Sequence, residues 1–187
     1  MARKGDWIQT FTGGQFWPLD PRPEEIKLLD IAAALSRECR FGGHCLRFFS
    51  VAEHCVLMYR FAKVHLFDKC TLRAVLLHDA SEGLGLRDMP RPIKSSLGTY
   101  KEVEAGVMAA VAARFDFPWP LPASVKALDE AIGLTEQREN MAPAPEAWAE
   151  GKSFQARGPL RVTLEYWAPD RAFSEFVSAA AELGMVA

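Results

Sequence analysis

The sequence is short of the features that would place it in a membrane, a secretory pathway or a nucleic-acid complex. No apolar run approaches the ~20 residues that span a bilayer. The charged start of the chain is not followed by an apolar stretch typical of a signal peptide. The formal net charge of −2 gives no basic excess that would attract nucleic acid or an acidic lipid surface. We therefore expect a cytoplasmic protein whose partners include neither nucleic acid nor membrane.

Cysteine is scarce, and its spacing excludes the common cysteine motifs. The chain has four cysteines and no CxxC pair, so neither a zinc ribbon nor a redox motif is indicated. In a cytosolic chain they are most simply reduced, small core residues. The four are Cys39, Cys45, Cys55 and Cys70.

What is present is ordinary for a globular protein, with 49% hydrophobic and 25% charged residues. A chain of 187 residues is long enough for one domain with a sizeable core. Apolar periodicity predicts a mainly helical (all-α) fold with a small N-terminal β-hairpin. We divide the single domain, 1–187, into a hairpin and connector (1–23), a helical core (24–140), a surface excursion (141–168) and a C-terminal helix (169–187).

The predicted elements follow from periodicity and from turn residues. The hairpin is centred on Thr12-Gly13-Gly14. A strand is predicted from alternation over residues 160–166. The predicted helices span about 24–39, 50–67, 71–79, 100–115, 124–140 and 169–184, the last ending at Gly184.

Caps and breaks refine these boundaries. Ser50 and Glu53 form a capping box, which assigns the Glu53 carboxylate to the start of its helix. Thr71 and Ser124 are predicted N-caps. Residues 88–94 are expected to be non-helical because they contain Pro90 and Pro92. Glu136 and Arg138 are interpreted as an ordinary helical charge pattern.

The most informative stretch is LLHDASE at residues 76–82, where an apolar run ends in titratable groups. On a helix, His78 and Glu82 share a face at i, i+4, and Asp79 and Glu82 are neighbours at i, i+3. Such groups are costly to bury unless they are paired or bound to a metal. A neutral imidazole and a carboxylate suit a divalent metal, and a free carboxylate beside them suits a proton acceptor.

The chain offers few partners for this cluster, because it has only four histidines. His54 is the best second imidazole, since it begins one helix and His78 ends the next; two antiparallel helices bring those ends together. His65 is near the other end and would be remote. Asp129 is the best further carboxylate because it borders the apolar stripe of a later helix. His44 could contact substrate or simply pack its glycine loop.

Six segments in this order resemble the HD-domain metal-dependent phosphohydrolases. The nearest likeness is to small 5′-deoxynucleotidases of the YfbR and YfdR type and to phage dATP triphosphohydrolases. The resemblance covers most of the chain, from residue 8 to residue 140 and more loosely the last helix. The segments are TFTG at residues 10–13, CRFGGH at 39–44, FSVAEH at 49–54, HDASE at 78–82, DMPRPIK at 88–94 and VKALD at 125–129.

The resemblance implies an HD-domain helical bundle with one divalent metal ion and assigns roles to individual residues. It makes Glu82 the residue that activates the attacking water, and Asp88 an acid near the leaving group. It makes Arg40 and Phe41 a substrate-binding pair and Lys94 a phosphate-side lysine. It makes four residues the metal ligands: His54, His78, Asp79 and Asp129.

The chemistry of these residue types agrees with that assignment. Two imidazoles and two carboxylates bind Zn²⁺, Mn²⁺, Co²⁺ or Fe²⁺ and leave positions open for water and phosphate. The shortage of histidine argues against a dinuclear site and its oxygenase chemistry. We expect hydrolysis of a 2′-deoxyribonucleoside monophosphate. The alternative is a triphosphohydrolase, and a phosphodiesterase or a non-catalytic nucleotide sensor is less favoured. A homo-oligomer is permitted but not required by the sequence.

Overall fold

The computed structural model describes residues 3–94, 96–146 and 158–186, which form a small hairpin and a helical body. The predicted mainly helical fold with an N-terminal hairpin is confirmed. In these ranges no helix is both long and apolar enough to cross a membrane. The strands are β1 (Ile8–Gln9) and β2 (Gln15–Phe16), and the helices are α1 (Leu28–Arg37), α2 (Val51–Val64), α3 (Lys69–Leu77), α4 (Arg91–Lys94), α5 (Tyr100–Phe115), α6 (Ala123–Asn140) and α7 (Pro169–Glu182).

The hairpin is antiparallel and is fixed to the body by a buried side chain and a backbone hydrogen bond. Ile8 pairs with Phe16, and Phe16 is fully buried. Gly13 takes a φ of +78° in the turn, a conformation that favours glycine. The Thr12 backbone N–H donates to the buried Asp30 carboxylate of α1 at 2.7 Å. The hairpin therefore lies against α1.

Helix α2 is the centre of the molecule. Every residue from 51 to 59 is buried, so this part of the helix is enclosed on all sides. It packs against α1, α3, α6 and α7. A polar side chain on its first turns is therefore placed inside the protein, and His54 is such a residue.

Several predicted boundaries and caps are wrong. Helix α1 begins at Leu28, because a 3₁₀ turn at Pro23–Glu25 is followed by extended backbone at Ile26. Helix α3 is capped by Asp68, whose carboxylate accepts from the Thr71 N–H, and not by Thr71. Helix α6 begins after Pro122, and Ser124 is not its cap.

The segment at 88–94 was predicted to be non-helical and instead contains the single turn α4. Pro90 lies immediately before this helix and Pro92 lies in its first turn. The backbone N–H groups of a first turn have no intrahelical acceptor, so proline is tolerated there. The prolines limit the helix at its start and do not prevent it.

The predicted strand at 160–166 is extended chain without a strand partner in the described residues. Its Leu160 N–H donates to the Ala131 carbonyl of α6 at 2.9 Å.

The Ser50 cap of α2 is confirmed, because its hydroxyl accepts from the Glu53 N–H at 3.1 Å. The Glu53 carboxylate does not complete the capping box; it accepts from backbone N–H groups of this extended segment.

Helix α7 ends as predicted at Gly184, which has a φ of +68°. The Gly184 N–H donates to Ala181 and the Met185 N–H donates to Ala180, which are the two hydrogen bonds of a Schellman motif. Part of the predicted surface excursion, residues 147–157, lies outside the described residues.

Candidate metal centre

Two imidazoles meet in the interior where α2 begins and α3 ends. His54 lies in the first turn of α2 and is fully buried. His78 directly follows the last residue of α3 and is also buried. The Nε2 atoms of the two rings are 3.1 Å apart. Residues 65–68 join the two helices, so the start of the first lies beside the end of the second.

Two carboxylates from separate segments complete the cluster. The Asp79 Oδ2 lies 3.2 Å from Nε2 of His78 and 3.7 Å from Nε2 of His54. The Asp129 Oδ1, from the second turn of α6, lies 3.5 Å from Nε2 of His54 and 3.9 Å from Nε2 of His78. The structure thus brings together the four residues that the resemblance names as ligands, and the cluster could hold a metal ion.

The hydrogen bond that each imidazole forms through Nδ1 determines whether its Nε2 is available to bind a cation. His54 Nδ1 is 2.5 Å from a Glu136 carboxylate oxygen, and His78 Nδ1 is 2.8 Å from the Val75 carbonyl. Both acceptors require a proton on Nδ1, so a neutral ring at either position carries its lone pair on Nε2. Two lone pairs 3.1 Å apart repel each other, whereas a cation between them binds both. The donor set therefore fits a metal ion.

The carboxylates of the cluster are held ionised. Burial alone would raise the pKa of Asp79, but the adjacent His78, followed by His54 and Arg40, lowers it well below its ordinary value. Burial opposes ionisation of Asp129 as well, but the hydrogen bond to His54, together with the positive charge that His78 holds while no cation is bound, lowers its pKa to about 2. Both acids are negatively charged at neutral pH, as ligands of a divalent cation must be.

Cys55 also lies beside His78 but is a poor ligand. Its sulfur is 3.9 Å from His78 Nδ1, the nitrogen that already bonds to the Val75 carbonyl. Burial raises the pKa of the Cys55 thiol to about 11, so the sulfur stays protonated at neutral pH. A thiolate, not a thiol, binds metal.

Glu136 belongs to this site and its interpretation as an ordinary surface charge is wrong. Its side chain is fully buried, and its second oxygen accepts from Nη2 of Arg40 at 2.9 Å. Arg40 also reaches Asp79 at 3.4 Å. Glu136 follows Asp129 by seven residues, which is two helical turns and therefore the same face of α6. That spacing was the signal in the sequence that could have identified it.

Glu82 reaches the site from a 3₁₀ turn and not from a continuous helix. Helix α3 ends at Leu77, so the predicted helical spacing of His78 and Glu82 is wrong. The turn packs closely on α1, because a Cβ on Gly83 would lie 3.1 Å from the Ile31 carbonyl oxygen. Glycine at this position allows the approach that buries Glu82.

The environment of Glu82 favours its protonated form. The residue is 9% exposed, and its Oε2 has no hydrogen-bond partner in the described part of the chain. Burial, together with the negative charges of Asp79 and Asp88, raises its pKa well above the ordinary value. In its ionised form, such a carboxylate is a stronger base than an exposed one, and a positive charge beside it favours that ionised form.

The turn that begins with Arg40 and Phe41 lies beside the cluster and is hydrogen-bonded to Asp88. Phe41 has a φ of +59°, and its N–H donates to the Asp88 carboxylate at 2.6 Å. The Asp88 N–H in turn donates to Glu38 at 3.0 Å. Arg40 is almost buried between Glu136 and Asp79. In this structure Arg40 and Asp88 therefore hold the site together, and their predicted contacts with substrate stay predictions.

The other two predicted substrate residues are not joined to the cluster by the contacts that the structure shows. His44 is exposed, and its backbone N–H closes the turn by donating to the Phe41 carbonyl. Lys94 pairs with Glu104 of α5 and lies 5.5 Å from the centre of the Tyr100 ring. Their roles toward substrate stay predictions.

Comparison with known proteins identifies two relatives of similar length. The uncharacterized protein YfdR of Escherichia coli is 33% identical over 133 residues, which cover 71% of each chain. The uncharacterized protein RCAP_rcc00048 of Rhodobacter capsulatus is 35% identical over 156 residues, which cover 79% of each chain. No protein-family model matches the sequence.

Proposed function

We propose that this chain, which belongs to the same family as YfdR of Escherichia coli, is a metal-dependent phosphohydrolase that removes phosphate from 2′-deoxyribonucleoside monophosphates. The observation that carries the proposal is a cluster of two imidazoles and two ionised carboxylates with a buried, unpartnered carboxyl group beside it. The HD-domain resemblance supplies the substrate class. Water would be the nucleophile in the reaction.

Each residue of the site has a definite task in this reaction. His54, His78, Asp79 and Asp129 would hold a divalent cation such as Zn²⁺, Mn²⁺, Co²⁺ or Fe²⁺, which would lower the pKa of a water molecule and provide positive charge for the phosphate. Glu82 takes the proton of the attacking water. The resemblance assigns Asp88 the return of a proton to the leaving oxygen, and its carboxylate accepts from the Phe41 N–H. Glu136 fixes the His54 tautomer so that Nε2 faces the cation.

The charges of the site favour a monophosphate over a triphosphate. Arg40 is committed to two carboxylates, and Lys94 is paired with Glu104. The acids near the cluster include Asp79 and Asp129, which are held ionised. A triphosphate brings more negative charge than a monophosphate and would need cations that are not already paired.

A substrate panel tests the activity directly. Metal-stripped protein is incubated with deoxy- and ribonucleoside mono- and triphosphates plus Mn²⁺, Co²⁺ or Zn²⁺, and products are separated by chromatography. We expect metal-dependent release of inorganic phosphate and deoxynucleoside from monophosphates. Tripolyphosphate from deoxynucleoside triphosphates would instead establish the triphosphohydrolase branch. Absence of turnover with every metal would overturn the proposal.

Replacing Glu82 by glutamine tests its role as the base. The amide has nearly the same shape but cannot accept a proton, so we expect kcat to fall by about 10²- to 10⁴-fold. Metal content, measured by elemental analysis, should be unchanged because Glu82 is not one of the ligands. The matched control is Glu102→Gln, an exposed change on α5 that should leave kcat unaltered. Full activity of the Glu82 variant would refute the assigned mechanism.

A further inference from the structure

Cys39 and Cys45 lie on either side of the Arg40 turn, and their sulfur atoms are 3.5 Å apart. Both residues are only partly buried. The expectation that all four cysteines are core residues is therefore wrong for this pair, and Cys70 is exposed. Only Cys55 is buried. A disulfide has an S–S distance of about 2.05 Å, so the two sulfurs are within reach of a small side-chain rotation.

The fold itself holds the two thiols together. The turn between them contains three successive residues with positive φ, Phe41, Gly42 and Gly43, so the chain doubles back within six residues. The chain at each end of the turn is also hydrogen-bonded to a residue at the start or the end of a helix. Cys39 forms a β-bridge with Ser50, next to the start of α2. The Leu46 N–H, just after Cys45, donates to the Asn140 carbonyl at the end of α6 at 2.8 Å.

We propose that Cys39 and Cys45 are a redox modification site, at which exchange with a low-molecular-weight disulfide forms a reversible intramolecular disulfide that locks the Arg40 turn. The inference stands on the positions of the sulfurs and not on the proposed function. It concerns the site only because the enclosed turn carries Arg40, which contacts Asp79 and Glu136.

The exchange proceeds in two balanced steps. One cysteine loses a proton, and its thiolate attacks a sulfur of the small disulfide to give a mixed disulfide and one released thiol. The second cysteine loses a proton and attacks the protein sulfur of that mixed disulfide, which releases the second small thiol. The protein gives up two hydrogens in total, and the small disulfide is reduced to two thiols.

The thiols of the pair react as thiolates, and burial, together with the hydrogen bond to Cys39, raises the pKa of the Cys45 thiol to about 11. The exchange is therefore expected to accelerate as the pH rises above neutral. Either thiol can make the first attack, and the other then resolves the mixed disulfide.

The experiment uses the full chain carrying Cys70→Ser, which removes the exposed cysteine that would form its own mixed disulfide. The reduced protein is incubated with oxidised glutathione, quenched with acid and measured by intact mass and by peptide mapping. We expect a loss of two hydrogens, a peptide cross-link between Cys39 and Cys45, and full reversal by dithiothreitol. The number of free thiols should fall from three to one, and the remaining free thiol should be Cys55.

Single variants separate the two steps. Adding Cys45→Ser should trap one glutathione on Cys39, and adding Cys39→Ser should trap one glutathione on Cys45, because neither variant has a second thiol to resolve the mixed disulfide. Both serine variants should keep the circular dichroism spectrum of the parent, since the thiols are not in the core. Mixed disulfides that persist in the parent, or no reaction under conditions in which the urea-unfolded chain reacts fully, would overturn the proposal.

Amide hydrogen exchange reports whether the bond locks the turn. Exchange of the amides at residues 40–46 should slow by about tenfold in the oxidised protein, because local opening of the turn is restricted. Exchange in α5, which holds neither end of the turn, should be unaltered. Equal exchange at 40–46 in the reduced and oxidised proteins would remove the locking part of the proposal. Phosphohydrolase activity enters none of these measurements.

Discussion

At the scale of single residues, Glu136 supports the site without being one of the four candidate ligands. It accepts from His54 with one oxygen and from Arg40 with the other, and it is fully buried. Burial alone would raise its pKa, but Arg40 and then His54 lower it below its ordinary value. An ionised Glu136 fixes the His54 tautomer and neutralises Arg40 at the same time.

Replacing Glu136 by glutamine is expected to weaken metal binding by about 10- to 100-fold, which is typical of a lost partner behind a metal-bound histidine. The amide can still accept from His54 Nδ1, but it no longer carries charge. The dissociation constant for Zn²⁺ or Co²⁺ is measured by competition with a chelator. Metal affinity equal to that of the unmodified protein would contradict this role.

A control and a double variant separate affinity from stability. Glu139→Gln changes an exposed acid on the same helix and should alter neither property. Glu136→Gln alone leaves Arg40 with Asp79 as its remaining acidic partner, so stability should also fall. Arg40→Gln/Glu136→Gln removes both charges and should recover part of the stability without recovering metal affinity.

At the scale of elements, one carboxylate of α2 accepts the backbone hydrogen bonds of the extended segment before α7. Glu53 is fully buried and accepts from three successive backbone N–H groups, at 2.8 Å from Glu165, 2.9 Å from Tyr166 and 2.6 Å from Trp167. The segment has no strand partner in the described residues, so this carboxylate takes the place of a β-ladder. Glu53 is the residue before His54 on α2, so these hydrogen bonds also help to fix the turn of α2 that carries His54.

Replacing Glu53 by glutamine should destabilise the protein by about 2 kcal/mol. The amide oxygen of the new side chain could keep the bonds from residues 165 and 166, but its NH₂ group would face the Trp167 N–H, and two donors cannot bond to each other. The free energy of unfolding is measured by urea denaturation monitored by circular dichroism. An unaltered midpoint would mean that the segment is held by its apolar contacts alone.

The matched control for this change is Glu102→Gln. Glu102 is exposed on α5, and a surface substitution of this kind normally alters stability by less than about 0.5 kcal/mol. The comparison isolates the effect of the three backbone hydrogen bonds from any general effect of removing a negative charge.

At the scale of the whole molecule, the metal cluster connects parts of the chain that are distant in sequence. His54 comes from the start of α2, His78 and Asp79 follow α3, and Asp129 comes from α6. A cation bound to all of them exists only when these helices are packed together. Metal binding and folding are therefore thermodynamically linked.

Adding a suitable divalent cation to metal-free protein should raise the melting temperature. A ligand present at 100 times its dissociation constant stabilises the folded state by about 2.7 kcal/mol, which corresponds to about 5–10 °C for a chain of this size. Differential scanning calorimetry with Mn²⁺, Co²⁺, Zn²⁺ and Mg²⁺ measures the shift and identifies the preferred ion. No shift with any of them would contradict the proposed metal site.

Two histidine variants control for non-specific binding. His78→Gln should abolish the thermal shift because it removes one of the converging imidazoles. His65→Gln should retain the shift, since His65 is an exposed residue at the far end of α2, with its ring nitrogen bonded to the Phe61 carbonyl. A shift that survives in the His78 variant would place the bound ion elsewhere.

Much of the fold and the cluster could be predicted from the sequence because the signals are local or repeat along one element. Apolar periodicity identified α5 with its bounds, the glycine pair identified the hairpin, and Gly184 identified the end of α7. The HDASE segment and the scarcity of histidine singled out His54 and His78 as partners. Each of these inferences depends on the chemistry of neighbouring residues or on helical geometry, which the sequence determines by itself.

The tertiary structure alone decided which polar groups meet across the interior. The sequence places Glu136 on the same face of α6 as Asp129, but it could not pair Glu136 with His54, or give Glu53 an acceptor role toward residues 165–167, because those partners lie roughly 80 to 110 positions away. It also could not place the sulfurs of Cys39 and Cys45 together, since their approach depends on three positive φ values in the turn between them. Hydrogen bonds and charge pairs act over a few ångströms, so their partners are fixed only once the helices have packed.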